Sequence, residues 1–162
     1  MPTTSTTTQL PFTTGEPNHF AGLTLVPLLP AAEPLLEYLG LAEALARGLT
    51  VTEVDADGSV GDLLVQSLLD EPVLLYEGEE LVGAKQNRVV RVTVLVEAHA
   101  VVEVAVDCVE RRRWSWRSER FDVSNHAAYP ALRSERHRGG GQDKVWQNVS
   151  AKAERLGTAS PT

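Results

Sequence analysis

The chain contains few of the residues that build disulfides, and none of the long apolar runs that build membrane spans. Only one of its 162 residues is cysteine, so an internal disulfide is excluded, as is common in a reducing compartment. No apolar run approaches the ~18–20 residues of a membrane helix. The N-terminus also lacks the basic start and apolar core of a secretory signal. We therefore expect a cytoplasmic protein that does not contact a membrane.

Familiar catalytic and cofactor signatures are absent as well. There is no Gly-x-x-x-x-Gly-Lys phosphate loop, no Gly-x-Gly-x-x-Gly fingerprint, and no histidine or cysteine spacing that predicts a metal. Cys108 precedes a run of arginines, but Trp114 stands where a phosphatase-type loop needs its arginine. We predict that Cys108 is a small residue at a strand end. No cofactor or metal is expected, and the sequence leaves open whether the protein is an enzyme.

Charge is distributed unevenly along the chain. The net charge is −7, yet residues 1–106 carry 4 basic and 15 acidic side chains, whereas residues 107–162 carry 11 and 7. Proteins that bind nucleic acid are usually basic overall, so nucleic acid is not an expected partner. The basic part could bind an anion, or it could pair with the acidic half of the same or another subunit.

Hydrophobic periodicity predicts an α+β fold with a single β-rich domain, an antiparallel sandwich or half-open barrel with one early and one late helix. The predicted segments are a disordered Thr-rich tail over 1–20, a core over 21–124, a linker with a triglycine over 125–141, an amphipathic helix over 142–156 and a tail over 157–162. The early helix is predicted over Pro34–Arg47, since Pro34 suits its first turn and Gly48 the residue after its end.

Short strands are predicted throughout the core. Pro72–Tyr76 and Glu79–Ala84 are expected to form a hairpin around Glu77-Gly78. A second hairpin is expected between Arg88–Val96 and Ala100–Val106. Arg113–Phe121 is predicted to be a further strand.

The most polar stretch, Glu77–Arg88, lies between two of these apolar segments. Long hydrogen-bonding side chains between strands are typical of a polar site held on rigid elements. Glu79 and Glu80 adjoin, so on a strand they point to opposite faces. Gly83 allows another backbone to approach, or a bulge that resets the alternation. We predict that the polar stretch clusters with Cys108–Trp114.

A buried guanidinium needs a carboxylate partner, and for Arg88 the sequence favours Glu80 or Glu110. Three interpretations of the polar stretch stay open. It is a buried ion-pair network that fixes strand register, a ligand or catalytic site, or a subunit interface.

The same residues carry a family resemblance. The Gly83-Ala-Lys-Gln-Asn-Arg88 core, with Val106-Asp-Cys-Val-Glu110 and then Arg113-Trp114, resembles the ARG and rhodanese-phosphatase-superfamily-associated protein domain family of uncharacterised proteins. The resemblance covers roughly residues 22–156. It implies a tie to ADP-ribose or phosphoester metabolism. Two positions depart from the family pattern, with Ser67 in place of an asparagine and Arg112 in place of a glycine.

Two functions of different classes follow. The favoured one is a non-catalytic, self-associating interaction or scaffold domain with a buried polar network, which predicts a homo-oligomer. The alternative is binding or hydrolysis of an ADP-ribose-like or other phosphorylated nucleotide ligand, with Glu80 or Glu110 as the catalytic candidates. The ligand-binding candidates of that alternative are Lys85, Gln86, Asn87, Arg88, Arg113 and Trp114.

Overall fold

Strands dominate the structure, a computed structural model that describes residues 12–32 and 36–159. The fold is α+β, with a curled six-stranded antiparallel half-barrel sheet and three helices, which confirms the predicted fold class. The chain divides into two units with the boundary between Glu37 and Tyr38. The strands are β1 (Phe12–Thr14), β2 (Asn18–Phe20), β3 (Leu23–Leu25), β4 (Leu28–Pro30), β5 (Leu39–Gly40), β6 (Thr50–Glu53), β7 (Asp62–Gln66), β8 (Val73–Leu75), β9 (Glu79–Gly83), β10 (Arg88–Val90), β11 (Val94–Val96), β12 (Val101–Cys108) and β13 (Phe121–Ala127).

The first unit contains a two-stranded β-ribbon, which we call the N-terminal ribbon (residues 12–30). β1 pairs with β4, and β2 pairs with β3, both antiparallel. Ala21 and Gly22 form its tip with φ of 44° and 82°, a conformation that matches the twist of a two-residue hairpin. The predicted disordered tail is therefore wrong for residues 12–20, and residues 1–11 lie outside the described part of the chain.

The second unit is built on the six-stranded sheet, whose strand order is β13-β9-β10-β12-β7-β6. Alternate side chains share a face of a strand. Leu63 and Val65 of β7 and Val104 and Val106 of β12 accordingly point into the core and are buried. A smaller sheet has the order β11-β8-β5, in which β5 runs parallel to β8.

The second predicted hairpin is confirmed in part, since β10 pairs antiparallel with β12 and Val90 lies opposite Val106. The first predicted hairpin is wrong in its pairing. β8 pairs with β11, and β9 pairs with β10 and β13, so the strands on either side of Glu77-Gly78 belong to different sheets. The predicted strand Arg88–Val96 is split into β10 and β11, because the chain crosses from one sheet to the other at residues 91–93. The predicted strand Arg113–Phe121 is a loop, and a strand begins only at its last residue.

The helices are α1 (Leu41–Ala46), α2 (Pro130–His137) and α3 (Gln142–Arg155). α1 is shorter than the predicted Pro34–Arg47, because Leu39 and Gly40 pair with β8 as strand, and residues 33–35 lie outside the described ranges. α2 lies in the predicted linker. It begins at a proline that suits a first helical turn, and its Leu132 is buried. α3 confirms the predicted late helix.

Candidate functional site

The polar stretch predicted from the sequence lies on the paired strands β9 and β10 and on the turn between them. In this pair Arg88 is opposite Leu81, and Val89 is opposite Glu80. Directly opposed residues project from the same face of a sheet. Glu80 therefore projects from the face opposite to that of Arg88, which makes the predicted Arg88–Glu80 pair wrong.

Arg88 is completely buried and pairs with Glu53 of β6. Its Nη2 lies 3.3 Å from Glu53 Oε2 and donates to the Ser59 carbonyl oxygen at 3.1 Å. Its Nη1 donates to Gln86 Oε1 at 3.1 Å and lies 3.0 Å from Cys108 Sγ. The predicted alternative partner, Glu110, is also wrong. We call Glu53, Lys85, Gln86, Arg88 and Cys108 the Arg88 network.

Lys85 brings a second cation into this network. Its Nζ donates to the carbonyl oxygens of Ala56 and Asp57 at 2.6 and 2.7 Å. The same Nζ lies 5.5 Å from the ring centroid of Trp114 and 5.1 Å from that of Trp116, within the range of cation–π attraction. Glu53 therefore forms its ion pair with Arg88 and meets Lys85 through the backbone amide at 3.2 Å, whereas carbonyl dipoles and indole faces stabilise the Lys85 ammonium.

Gly58 allows the turn after β6 to close over the network. Its φ is +75°, and a Cβ at this position would lie 3.2 Å from Glu53 Oε2, from Lys85 Cδ and from Trp114 Cζ2. The carboxylate of Asp55 accepts hydrogen bonds from the Asp57 and Gly58 amides and holds the turn in place. The network is therefore filled and covered on this side by the turn.

Glu110 organises the other half of the polar stretch. Its Oε2 accepts from the Asn87 amide at 2.8 Å and from Arg113 Nε at 2.7 Å, and its carbonyl oxygen accepts from the Gln86 side chain. Arg113 Nη2 donates to Asn87 Oδ1 at 3.1 Å. Burial alone raises the pKa of Glu110, but the hydrogen bonds from Arg113 and the Asn87 amide outweigh it and lower the pKa below its usual value.

The clustering, which was predicted to include Glu79 or Glu80, is confirmed for Lys85, Gln86, Asn87 and Arg88, which all contact residues between Cys108 and Trp114. Glu80 projects from the other face of the sheet, and the Glu79 carboxylate accepts from the Tyr76 amide instead. Sequence reasoning missed Glu53. A signal for it existed in the alternation of β6, because Glu53 lies two residues after Val51 and so points to the same buried face. A carboxylate on that face needs a buried cation as its partner. Trp116 and Gly58 carried no such signal, since they meet Lys85 only through the folding of two loops.

Gln142, the first residue of α3, closes the network from the side of the helices. Its side-chain amide donates to the Cys108 carbonyl oxygen at 2.7 Å and accepts from the Cys108 amide at 2.8 Å. The side chain thus satisfies both backbone groups of Cys108, as a paired strand would, and it fixes the start of α3 against β12. α2 is held nearby, because Arg136 Nε lies 2.8 Å from the Asp107 carboxylate.

Cys108 is expected to be unreactive in the folded protein. Its side chain is buried, and burial raises the pKa of the thiol to about 11 despite the nearby Arg88. The reactive thiolate is then about 0.1% of the thiol at pH 8. Dithionitrobenzoate at pH 8 should label less than one tenth of the thiol in native protein over an hour, and all of it in urea. Rapid labelling of the native protein would contradict this burial.

Metal sites and membrane-spanning helices were both sought in the part of the chain that the structure describes. Among residues 12–32 and 36–159, no three His, Cys, Asp or Glu side chains come together as a metal site requires. Of the helices in the same ranges, none is both long and apolar enough to cross a membrane.

Comparison with known proteins gives a family and no individual relative. Neither the curated proteins nor the solved structures contain a match to the chain. The family model of the ARG and Rhodanese-Phosphatase-superfamily-associated Protein domain matches residues 11–162. That match covers nearly the whole chain and includes the Gly83–Arg88 stretch and the Glu110 and Arg113 that hold it. The chain therefore belongs to the ARG and Rhodanese-Phosphatase-superfamily-associated Protein domain family.

Proposed function

We propose that the protein is a non-catalytic interaction domain that self-associates through its N-terminal ribbon. The observation that carries the proposal is the apolar face of the ribbon tip. Phe20, Leu23 and Leu25 share this face and are 82%, 56% and 59% exposed. The cross-strand pair of His19 and Thr24 forms a hydrogen bond on the opposite face.

A two-stranded ribbon with one exposed apolar face is not stable by itself. An isolated two-stranded hairpin is at best marginally stable in water, and it becomes stable when its apolar face packs against another surface. Exposed aromatic and aliphatic side chains on one face are typical of interaction sites. The ribbon therefore needs a partner for its apolar face.

A second copy of the chain is the partner that fits best. In a two-fold dimer the same patch of both subunits meets itself, so two ribbon faces would cover each other. The uneven charge supports association between copies, since the acidic residues 1–106 of one copy attract the basic residues 107–162 of another.

The polar stretch takes a structural role in this proposal. The Nη1 and Nη2 atoms of Arg88 and the Nζ of Lys85 are engaged by Glu53, Gln86 and backbone carbonyls, and the Glu110 carboxylate is engaged by Arg113. The alternative function is binding or hydrolysis of an ADP-ribose-like ligand at these residues. It is the weaker proposal, because a ligand there would have to break several of these contacts.

Sedimentation velocity at micromolar concentration tests the self-association. The wild-type chain is expected to sediment as an oligomer. The double variant Phe20→Ser/Leu23→Ser removes the apolar pair next to the tip of the ribbon, so its mass is expected to fall to that of a monomer. The matched control His19→Ser/Thr24→Ser changes the adjacent cross-strand pair on the opposite face and is expected to keep the oligomeric mass.

A monomeric wild-type mass at both low and high salt would overturn the proposal. The same holds if both double variants dissociate equally, because the effect would then come from a damaged ribbon and not from its apolar face. Circular dichroism of each variant checks that the second unit remains folded.

A further inference from the structure

We infer that a cleft beside α3 binds a small phosphorylated molecule that carries a flat ring. The cleft has a volume of about 890 Å³ and lies between the loop 109–117 and α3. We call it the arginine cleft, and its lining includes Arg111, Arg112, Arg117, Trp114, Trp146 and Val149. It is separate from the Arg88 network, although Trp114 and Glu110 border both.

Charge is the first argument for an anionic ligand. Four arginines line the cleft, and only Glu110 and Glu154 oppose them, in a chain whose net charge is −7. Glu110 is already paired with Arg113 and lies 3.7 Å from Arg117. Within residues 12–32 and 36–159, Arg111 and Arg112 form no ion pair. Their guanidinium groups are exposed donors of the kind that binds phosphate bidentately.

The backbone of Arg112 is the second, independent argument. Its φ is 72°, in the left-handed region that favours glycine. A long side chain in this conformation is strained, and such strain clusters at functional sites. The loop thus holds a cationic side chain at a position where glycine would be the more stable residue.

The cleft also offers aromatic surfaces. Trp146 lies on the α3 wall, with the Arg111 guanidinium 5.8 Å from its ring centroid, and Trp114 is 43% exposed on the opposite wall. Indole faces stack on flat rings, and the apolar Val109 and Val149 extend the same surface. A ligand with both a phosphate and a flat ring would match this lining, because the phosphate would contact the arginines and the ring would stack on the indoles.

The size of the cleft favours a small ligand over a nucleic acid. Pockets for small molecules have volumes of about 300–1,000 Å³. A long polyanion would also meet the acidic remainder of the chain, whereas a ligand with one or two phosphates contacts only the arginine cleft.

Isothermal titration of the full chain at low salt with three probes tests the inference. ADP carries both parts of the proposed ligand, pyrophosphate carries only the phosphates, and adenosine carries only the ring. We expect ADP to bind at least about tenfold more tightly than either fragment, because only ADP uses both the arginines and the indoles.

The variant Arg112→Gly separates binding from folding. It is expected to weaken ADP binding about tenfold or more, because a charged hydrogen-bond donor is lost. Its melting temperature is expected to stay equal or rise, since glycine suits the left-handed backbone. Arg138→Gln removes the same charge from an exposed position outside the cleft and is expected to leave binding unchanged.

Several outcomes would overturn the inference. They are an absence of binding heat with ADP, equal affinity for ADP and pyrophosphate, and equal affinity of Arg112→Gly and wild type. A loss of oligomeric mass in Arg112→Gly without a change in ADP binding would instead make the cleft an interface between copies. The ribbon variant Phe20→Ser/Leu23→Ser should still bind ADP, so the two proposals fail or stand separately.

Discussion

Replacing Arg88 with alanine is expected to lower the free energy of unfolding by about 3–5 kcal/mol. The guanidinium is fully buried and holds Glu53, whose side chain is only 1% exposed. Without Arg88 the carboxylate remains in the core with a weaker set of partners, and Gln86 and the Ser59 carbonyl lose a donor. Urea unfolding followed by tryptophan fluorescence measures the change.

Arg47→Ala is the control for this prediction. Arg47 also pairs with a glutamate, Glu71, but both side chains are about two fifths exposed, and solvent-exposed pairs of this kind contribute little to stability. The double variant Glu53→Leu/Arg88→Met is expected to recover much of the loss, because neither member of the ion pair is left buried without the other. Arg88→Ala protein with wild-type stability would contradict the structural role of the network.

Gly83→Ala is expected to destabilise the second unit by about 3 kcal/mol. The φ of Gly83 is +127°, and a Cβ there would lie 2.6 Å from Ser118 Oγ and 2.8 Å from the Arg120 carbonyl oxygen. The added methyl would force apart β9 and the start of β13, where Phe121 is paired with Gly83. The same urea titration measures this effect.

Gly48→Ala separates backbone conformation from steric overlap. The φ of Gly48 is +111°, but no atom lies within 4 Å of the position that a Cβ would take. Only the conformational cost of about 1–2 kcal/mol is then expected. If the two alanine variants are equally stable, close approach at Gly83 contributes nothing and the predicted ranking is wrong.

Local pattern was enough to predict the fold class and the late helix. α3 carries apolar residues at helical spacing over a long segment, which is the pattern that is easiest to recognise. Pairing was predictable only in part, since the sequence predicted the antiparallel pairing of β10 with β12 but not the partners of β8 and β9. β8 and β9 adjoin in sequence and look like a hairpin, yet their partners are determined by where the chain crosses between sheets.

The candidate site shows the same division. Gln86 and Asn87 directly precede β10, and Arg88, its first residue, is opposite Cys108 at the end of β12. Their proximity to the polar segment after β12 could therefore be predicted, because both polar segments adjoin strands of the same sheet. Glu53 became the partner of Arg88 only through the curl of the sheet, because β12 and β7 separate β10 from β6 in the strand order. A curvature that depends on every strand cannot be read from one segment.

The spacing of these partners along the chain affects how the protein folds. Glu53 and Arg88 are 35 residues apart, and Cys108 and Gln142 are 34 apart. Contacts of such separation form after the intervening loops have lost their freedom, which slows folding. The buried ions therefore have no compensating partner until the sheet is almost complete. The Arg88 network would then form late in folding, after the apolar core has collapsed. It would stabilise only the arrangement of strands that brings Glu53 and Arg88 together.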